Sequence, residues 1–200
     1  MEPKQTPRLE AFLQQDIQRI RSRVREMAKS VRQALLDCSE ALFERKGALA
    51  YSVILRDQKI DDLEQEVDRL CLEFLVRQQP VAGALRFVYA TIKINQELER
   101  IGDYAESIAR ESLTLNSLEI DFDFAHFQIL SEAAINMLDK AAQAFLEENT
   151  DLAWATIKED ENAKQLRDEI NESLVLHREQ NKLPMDAMTS LMTVVRRFER

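Results

Sequence analysis

Residues that break regular structure are scarce in this chain of 200 residues, which has 3 glycines and 4 prolines. So little turn-forming material favours a few long helices over a sheet with many turns. No run approaches the roughly 18 apolar residues of a membrane-spanning helix, and the first residues lack the apolar stretch of a signal peptide. The sequence therefore predicts an all-α cytoplasmic protein without a transmembrane segment.

Positive charge is also in short supply. The chain has 27 Lys and Arg against 36 Asp and Glu, a net charge of -9 and a pI of about 4.9. Nucleic acid is bound through a basic surface, so this balance excludes DNA or RNA as the main partner, whereas it suits cations. The two cysteines, Cys38 and Cys71, each fall on an apolar helical stripe, which predicts reduced core thiols.

Apolar residues recur at alternating steps of three and four, which predicts amphipathic helices. The six predicted helices cover residues 8–45, 48–78, 80–114, 124–147, 151–180 and 185–200, with a linker at 115–123. The last three helices echo the first three, because Pro80 recurs as Pro184 and Leu98-Glu99-Arg100 recurs as Phe198-Glu199-Arg200. The sequence thus predicts two tandem three-helix bundles, over residues 1–115 and 116–200.

Two pairs of carboxylates, each four residues apart, lie on the second and third predicted helices. This spacing places both members of a pair on one helix face, where like charges repel. Equal rise per residue from the turn near residue 79 brings Asp57 and Asp61 level with Glu99 and Asp103. Carboxylates alone suit Mg, Ca, Mn or Fe better than Zn. The alternative is that these are ordinary surface acids, in a chain with 36 of them.

The usual signatures of catalysis are missing from the sequence. A di-iron bundle needs Glu-x-x-His on two helices, and neither His126 nor His177 has a glutamate three residues before it. There is no Gly-rich phosphate loop, Gly-x-Ser-x-Gly turn or Cys-His pair. The sequence therefore favours a binding or regulatory protein, and an enzyme or a metal store is the least favoured hypothesis.

Several motifs carry a resemblance to a known family. Arg77-Gln78-Gln79-Pro80-Val81-Ala82 and Leu98-Glu99-Arg100-Ile101-Gly102-Asp103-Tyr104-Ala105, with Asp57-x-x-Ile60-Asp61 upstream, resemble the PhoU family of phosphate-regulon proteins, in two repeats. The resemblance implies a cytoplasmic, often dimeric negative regulator of the phosphate-starvation response. It implies a link between the ATPase of the phosphate ABC transporter and a membrane sensor histidine kinase, so that any place at the inner membrane comes through these partners.

The resemblance also implies a metal cofactor, because some family members bind multinuclear iron or zinc clusters through Glu/Asp-x-x-x-Asp motifs. The matching ligand positions in this chain are Asp57, Asp61, Glu99 and Asp103. The basic residues expected near them by helical spacing are Arg86, Lys93 and Arg100. Manganese or magnesium is a further candidate from the chemistry of the donors.

The second repeat departs from the family pattern in two places. Lys164 stands four residues after Asp160, where the second acid is expected, and the last motif begins at Glu199 and is not completed by Arg200. The sequence therefore predicts a degraded second metal site at Asp160 and Glu199 and an incomplete sixth helix. It also predicts exposed apolar surface on the fourth and fifth helices, for a partner or a second copy to cover.

Two hypotheses of function follow from the sequence. The first is a regulatory adaptor of phosphate uptake with one carboxylate metal site. The second is a helical protein-protein interaction module with no metal role, in which the acids are a solvated face and a partner docks in a helix groove.

Overall fold

The computed structural model describes residues 6–118, 120 and 122–200, and these residues form seven helices and no strand. The helices are α1 (Thr6–Phe43), α2 (Gly47–Arg56), α3 (Gln58–Gln78), α4 (Ala82–Asn116), α5 (Ala125–Leu146), α6 (Thr150–Glu179) and α7 (Met185–Glu199). The all-helical class predicted from the apolar periodicity is confirmed. The count differs by one, because the predicted second helix is divided into α2 and α3 at Asp57.

The helix ends follow the local signals in the sequence. Gln79 adopts a left-handed conformation at φ 44°, and its N–H bonds to the carbonyl of Leu75, which closes α3 just before Pro80. Asn149 caps α6, because its side-chain oxygen accepts a bond of 3.0 Å from the N–H of Leu152. Pro184 precedes α7 in an extended conformation, since proline lacks the N–H that a helix interior needs.

The helices pack as two three-membered units around one continuous core. α1, the α2–α3 pair and α4 form the first unit, and α5, α6 and α7 form the second. α1 packs on α5, and α4 packs on α7, so apolar side chains of both units join in a single cluster. An ion pair between Arg32 of α1 and Asp139 of α5, at 2.8 Å, reinforces this contact at the surface.

Aromatic side chains just before α5 pack against both units. Phe122 meets Phe127 edge-on at 5.8 Å and the His177 ring at 5.2 Å, whereas Phe124 lies 6.0 Å from Phe43 of the first unit. Edge-to-face pairs at such distances add to the stability that apolar burial supplies. His177 is therefore packed against an aromatic ring.

Both cysteines are free and buried, which confirms the prediction of reduced core thiols. Burial raises the pKa of Cys38, and burial followed by the nearby Asp68 raises the pKa of Cys71 to about 12. Neither thiol is therefore a ready nucleophile. Within the described residues, no helix has the length and apolar character that crossing a membrane requires.

Gly102 of α4 lies directly against the side chain of Ile60 on α3. A Cβ atom built there would lie 3.1 Å from both the Cδ1 and the Cγ2 atoms of Ile60, and 3.6 Å from Oδ1 of Asp57. Ile60 is 3% exposed, so its side chain has no room to yield. Gly83, on the same helix, has open space around it and is the natural comparison.

We expect Gly102→Ala to lower the free energy of unfolding by about 1–2 kcal/mol, because crowding against Ile60 outweighs the gain in helix propensity. Gly83→Ala should raise it by about 0.5 kcal/mol through propensity alone. Urea unfolding followed by circular dichroism measures both. Equal stabilisation by the two substitutions would show that the helices are not in close contact at Gly102.

Candidate functional site

The kink between α2 and α3 turns the side chain of Asp57 towards α4. The carbonyl of Asp57 accepts bonds from the N–H of Ile60 at 2.7 Å and of Asp61 at 3.3 Å, a local tightening towards 3₁₀ geometry. Arg56, the residue before, points the other way and pairs with the carboxylate of Asp37 on α1. Two neighbouring residues thus reach different helices, Arg56 through an ion pair with α1 and Asp57 by lying beside Gly102 of α4.

The structure brings the four predicted carboxylates together along the facing sides of α3 and α4. Burial is the main reason that the pKa of Asp57 rises to about 6, and repulsion from Asp61, Glu106, Asp103 and Glu99 adds to it. Burial and repulsion from Asp103 and Asp61 likewise raise the pKa of Glu99. These mutual effects place all four carboxylates within electrostatic reach of one another.

Three further acids extend this cluster, and sequence reasoning missed them. Glu106 lies three residues after Asp103, and Glu64 and Asp68 continue the stripe of Asp57 and Asp61 along α3. The signal was present, since positions 57, 61, 64 and 68 and positions 99, 103 and 106 all step by three or four. We call this set the acidic ladder; its members are Asp57, Asp61, Glu64, Asp68, Glu99, Asp103 and Glu106.

Each end of the acidic ladder is closed by a hydrogen-bond donor on α4. At one end, Nε of Arg110 donates to Oε1 of Glu106 at 3.1 Å. At the other end, Nδ2 of Asn95 donates to Oδ1 of Asp68 at 3.1 Å and to the carbonyl of Glu64 at 2.9 Å. Asn95 is fully buried, and its Oδ1 atom has no hydrogen-bond partner.

Basic residues give the middle of the ladder little compensation. Of the three cations expected nearby, Arg100 binds Glu97 at 2.8 Å, and its charge lowers the pKa of Glu99 against the stronger opposing effects. Lys93 lies over the Tyr89 ring, and Arg86 lines a groove towards the second unit. Burial and repulsion from Asp61 and Glu106 raise the pKa of Asp103, and an unexpected cation, Arg197 of α7, opposes that rise only in part.

The donor chemistry of the ladder suits a hard cation, because all of its side chains offer carboxylate oxygens. Gly102 keeps the space beside Oδ1 of Asp57 free of a Cβ atom. As the side chains stand, however, no group of three or more His, Cys, Asp and Glu among the described residues is positioned to hold a metal ion. A bound cation would therefore require some of these carboxylates to rotate towards it.

The corresponding acids of the second repeat carry their own cations. Nζ of Lys164 lies 2.6 Å from Oδ2 of Asp160, and Nη1 of Arg167 lies 2.8 Å from Oε1 of Glu199. A lysine in place of the second acid thus satisfies the first one internally. The two repeats therefore differ in a property that affects cation binding. Basic side chains neutralise these carboxylates in the second repeat, whereas those of the first repeat have little such compensation.

Comparison with known proteins shows that the chain is similar to members of a single family. The family model described as PhoU domain matches residues 24–112 and 127–200. The chain is 29% identical over 185 residues to the phosphate-specific transport system accessory protein PhoU homolog of Aquifex aeolicus, covering 92% of this chain and 84% of that protein. It is 28% identical to the accessory protein PhoU of Escherichia coli, over 92% of this chain and 77% of that one.

Solved structures share the fold. The crystal structure of PhoU from Pseudomonas aeruginosa superposes with a TM-score of 0.89 at 24% identity, covering 93% of this chain and 90% of that one. The structure of the phosphate transport system regulatory protein PhoU from Streptococcus pneumoniae gives a TM-score of 0.87 at 18% identity, over 94% and 88% of the two chains.

Titration of Asp57 should make the metal-free protein less stable as the pH rises from about 4 to about 6. The pKa of Asp57 is 3.8 unperturbed and about 6 in the folded chain. Between these values the folded chain keeps a proton that the unfolded chain has released, so a higher pH favours unfolding. Asp57→Asn should therefore exceed the wild type in stability at pH 7, and the difference should vanish near pH 4.

Denaturant unfolding in the presence of a chelator, repeated at steps of pH, measures this difference. Glu169→Gln is the matched control, since Glu169 is an exposed acid of α6 outside the ladder. A gap between Asp57→Asn and wild type that does not depend on pH would contradict the raised pKa.

Proposed function

The chain belongs to the PhoU family, and on this premise we propose that it is a cytoplasmic negative regulator of phosphate uptake and of the phosphate-starvation response. It acts as an adaptor between the ATPase of the phosphate ABC transporter and a sensor histidine kinase. The supporting observation is that both halves of the chain match the PhoU domain. Relatives that cover most of its length are named as accessory proteins of phosphate-specific transport. The role is regulatory and not enzymatic.

A metal site on the first repeat is part of the proposal. Asp57, Asp61, Glu99 and Asp103 would hold the cation, and Glu106 lies close enough to join them. A bound iron, zinc, manganese or magnesium ion would supply the positive charge that these carboxylates lack. The residues themselves contribute orientation, since the kink aims Asp57 and Gly102 lets the helices approach.

The second candidate function is a helical interaction module with no metal role. One observation favours it. Among the described residues, no three or more ladder carboxylates are positioned to coordinate a metal ion. On this hypothesis the acids are a solvated face, and water and dissolved ions weaken their repulsion. The two candidates differ in whether the purified protein carries a metal ion.

We expect Asp61→Asn combined with Asp103→Asn to abolish metal binding, because it removes one charge from each side of the ladder. Elemental analysis of the desalted protein should give a stoichiometric metal in the wild type and none in the variant. The melting temperature should fall in chelator for the wild type alone, since a ligand that binds only the folded state stabilises it. The metal-free variant should be slightly more stable than the metal-free wild type.

The second repeat provides the matched control. Asp160→Asn with Glu199→Gln removes two acids that already have internal cations, so the metal content should not change. Asp61→Lys copies the arrangement at Lys164 and should also abolish metal binding while the fold is retained. Metal that persists in the Asp61 and Asp103 double variant would place the site elsewhere, and no metal in the wild type would favour the interaction module.

The adaptor role is tested by capture of its partners. A tagged form of the chain should retain the transporter ATPase and the sensor kinase when each is expressed with it, and the mass of the eluted protein should reveal the homodimer that the resemblance implies. The interaction-deficient control is an unrelated acidic helical protein. Failure to retain either partner would refute the adaptor role, whereas retention by the metal-free double variant would separate that role from the metal.

A further inference from the structure

A cavity of about 330 Å³ lies in the crevice between α1 and the junction of α2 with α3. Both α2 and α3 pack on α1, and the cavity is found where the kink at Asp57 divides them. Its volume falls within the range of small-molecule sites. Among the described helices, α7 packs on α4, α5 and α6 and not on α1, so the cavity lies away from the end of the chain.

The cavity has an apolar floor and basic sides. Val53 and Ile60, which are 2% and 3% exposed, form the floor together with Ala34. Lys29 of α1 and Lys59 of α3 line the cavity from its two sides, and both side chains are exposed. Neither lysine has a hydrogen bond or an ion pair with another described residue.

The two acids that line the cavity are engaged elsewhere. The carboxylate of Glu26 lies 2.6 Å from Nη1 of Arg23. Asp57 turns towards α4, because its Oδ1 atom lies 3.6 Å from the position that a Cβ atom would take on Gly102. The two ammonium groups are therefore the uncompensated charges of the cavity.

Two further donors line the cavity beside the lysines. Arg56 is held in place at one end, because it pairs with Asp37 and its Nε donates to the carbonyl of Ser52 at 3.1 Å. Gln33 donates to the same Asp37 carboxylate at 2.8 Å, which ties α1 to this end. Nη1 of Arg56 and the hydroxyl of Ser30 have no partner within the described part of the chain.

The surrounding part of α1 is basic, although the whole chain has a net charge of -9. Within residues 19–32 a single acid, Glu26, stands against six bases, which are Arg19, Arg21, Arg23, Arg25, Lys29 and Arg32. Three of these bases pair with acids of other helices, Arg21 with Glu148, Arg23 with Glu66 and Arg32 with Asp139. The unpaired bases leave a local positive field, which raises the concentration of anions near the cavity.

We propose that this cavity binds a phosphate dianion, either the free ion or the phosphate group of a small organic compound. Two ammonium charges on opposite sides match a dianion between them, and lysine binds phosphate as a point charge. Arg56 and Ser30 would donate to the remaining phosphate oxygens. An organic phosphate would also cover Val53 and Ile60 with its apolar part. The inference goes beyond the adaptor role, and it uses no carboxylate of the acidic ladder.

The test is isothermal titration calorimetry of the full chain, stripped of metal with a chelator and desalted, at pH 8 and constant ionic strength. The two probes are inorganic phosphate and phenyl phosphate, which carry about two negative charges at this pH. We expect one saturable site per chain with a Kd below about 1 mM. Tighter binding of phenyl phosphate would assign the site to an organic phosphate, and equal or weaker binding would assign it to the free ion.

Two results of this titration would overturn the proposal. One is the absence of saturation by either probe up to about 10 mM. The other is binding that appears only after metal is restored, because the phosphate would then be held by a metal ion on the ladder and not by the cavity.

Variants of exposed lysines locate the binding. Lys29→Gln and Lys59→Gln each remove one charge and should weaken binding at least about tenfold, whereas Lys29→Arg keeps the charge and should stay within about threefold. Lys158→Gln neutralises an exposed lysine of α6 outside the cavity and should stay within about twofold. Unchanged affinity in both Lys29→Gln and Lys59→Gln would refute the site. Equal weakening by Lys158→Gln would show unspecific attraction and would also refute it.

Discussion

In the first repeat, the packing of α3 against α4 has to overcome repulsion between carboxylates on the facing sides of the two helices. Burial and four like-charged neighbours raise the pKa of Asp57 to about 6. Near neutral pH the cluster therefore has to hold an unfavourable charge on Asp57 or take up a proton there, and both cost free energy. The surrounding structure nevertheless brings the charges together. Gly102 allows α3 and α4 to approach, and the pairing of Arg56 with Asp37 fixes the kink from the other side. Such an arrangement is stable only where apolar packing nearby outweighs the repulsion, and the contact of the core residue Ile60 is part of that packing.

The second repeat shows the same framework with the electrostatic problem removed. Lys164 and Arg167 neutralise Asp160 and Glu199 through ion pairs of 2.6 and 2.8 Å, so that side of the molecule requires neither a proton nor a cation from solution. The contrast argues that the unpaired acids of the first repeat are not a requirement of the fold, because the same three-helix unit forms without them.

Local pattern was sufficient to predict most of the fold, and contacts distant in sequence account for what it missed. The apolar periodicity and the prolines located the helix boundaries within a few residues, and counting from the α3–α4 turn placed the four acids together. The break at Asp57 was not predictable in this way, because its backbone is helical at φ -58° and ψ -41° and the preceding Arg56 is held by a partner on another helix. Arg197 and Phe124 act across the two repeats, where periodicity carries no information. Glu106 did carry a signal, in the continued spacing of the acids.

α4 links the two repeats, because one of its faces carries Glu99, Asp103 and Glu106 and another packs against α7 of the second repeat. The two faces meet near Tyr104, whose ring lies under the guanidinium of Arg197 on α7. That guanidinium opposes the rise in the pKa of Asp103 that burial, Asp61 and Glu106 cause, but only in part. The second repeat therefore supplies a counter-charge to the acids of the first, and this counter-charge is too weak to remove their need for a proton or a cation.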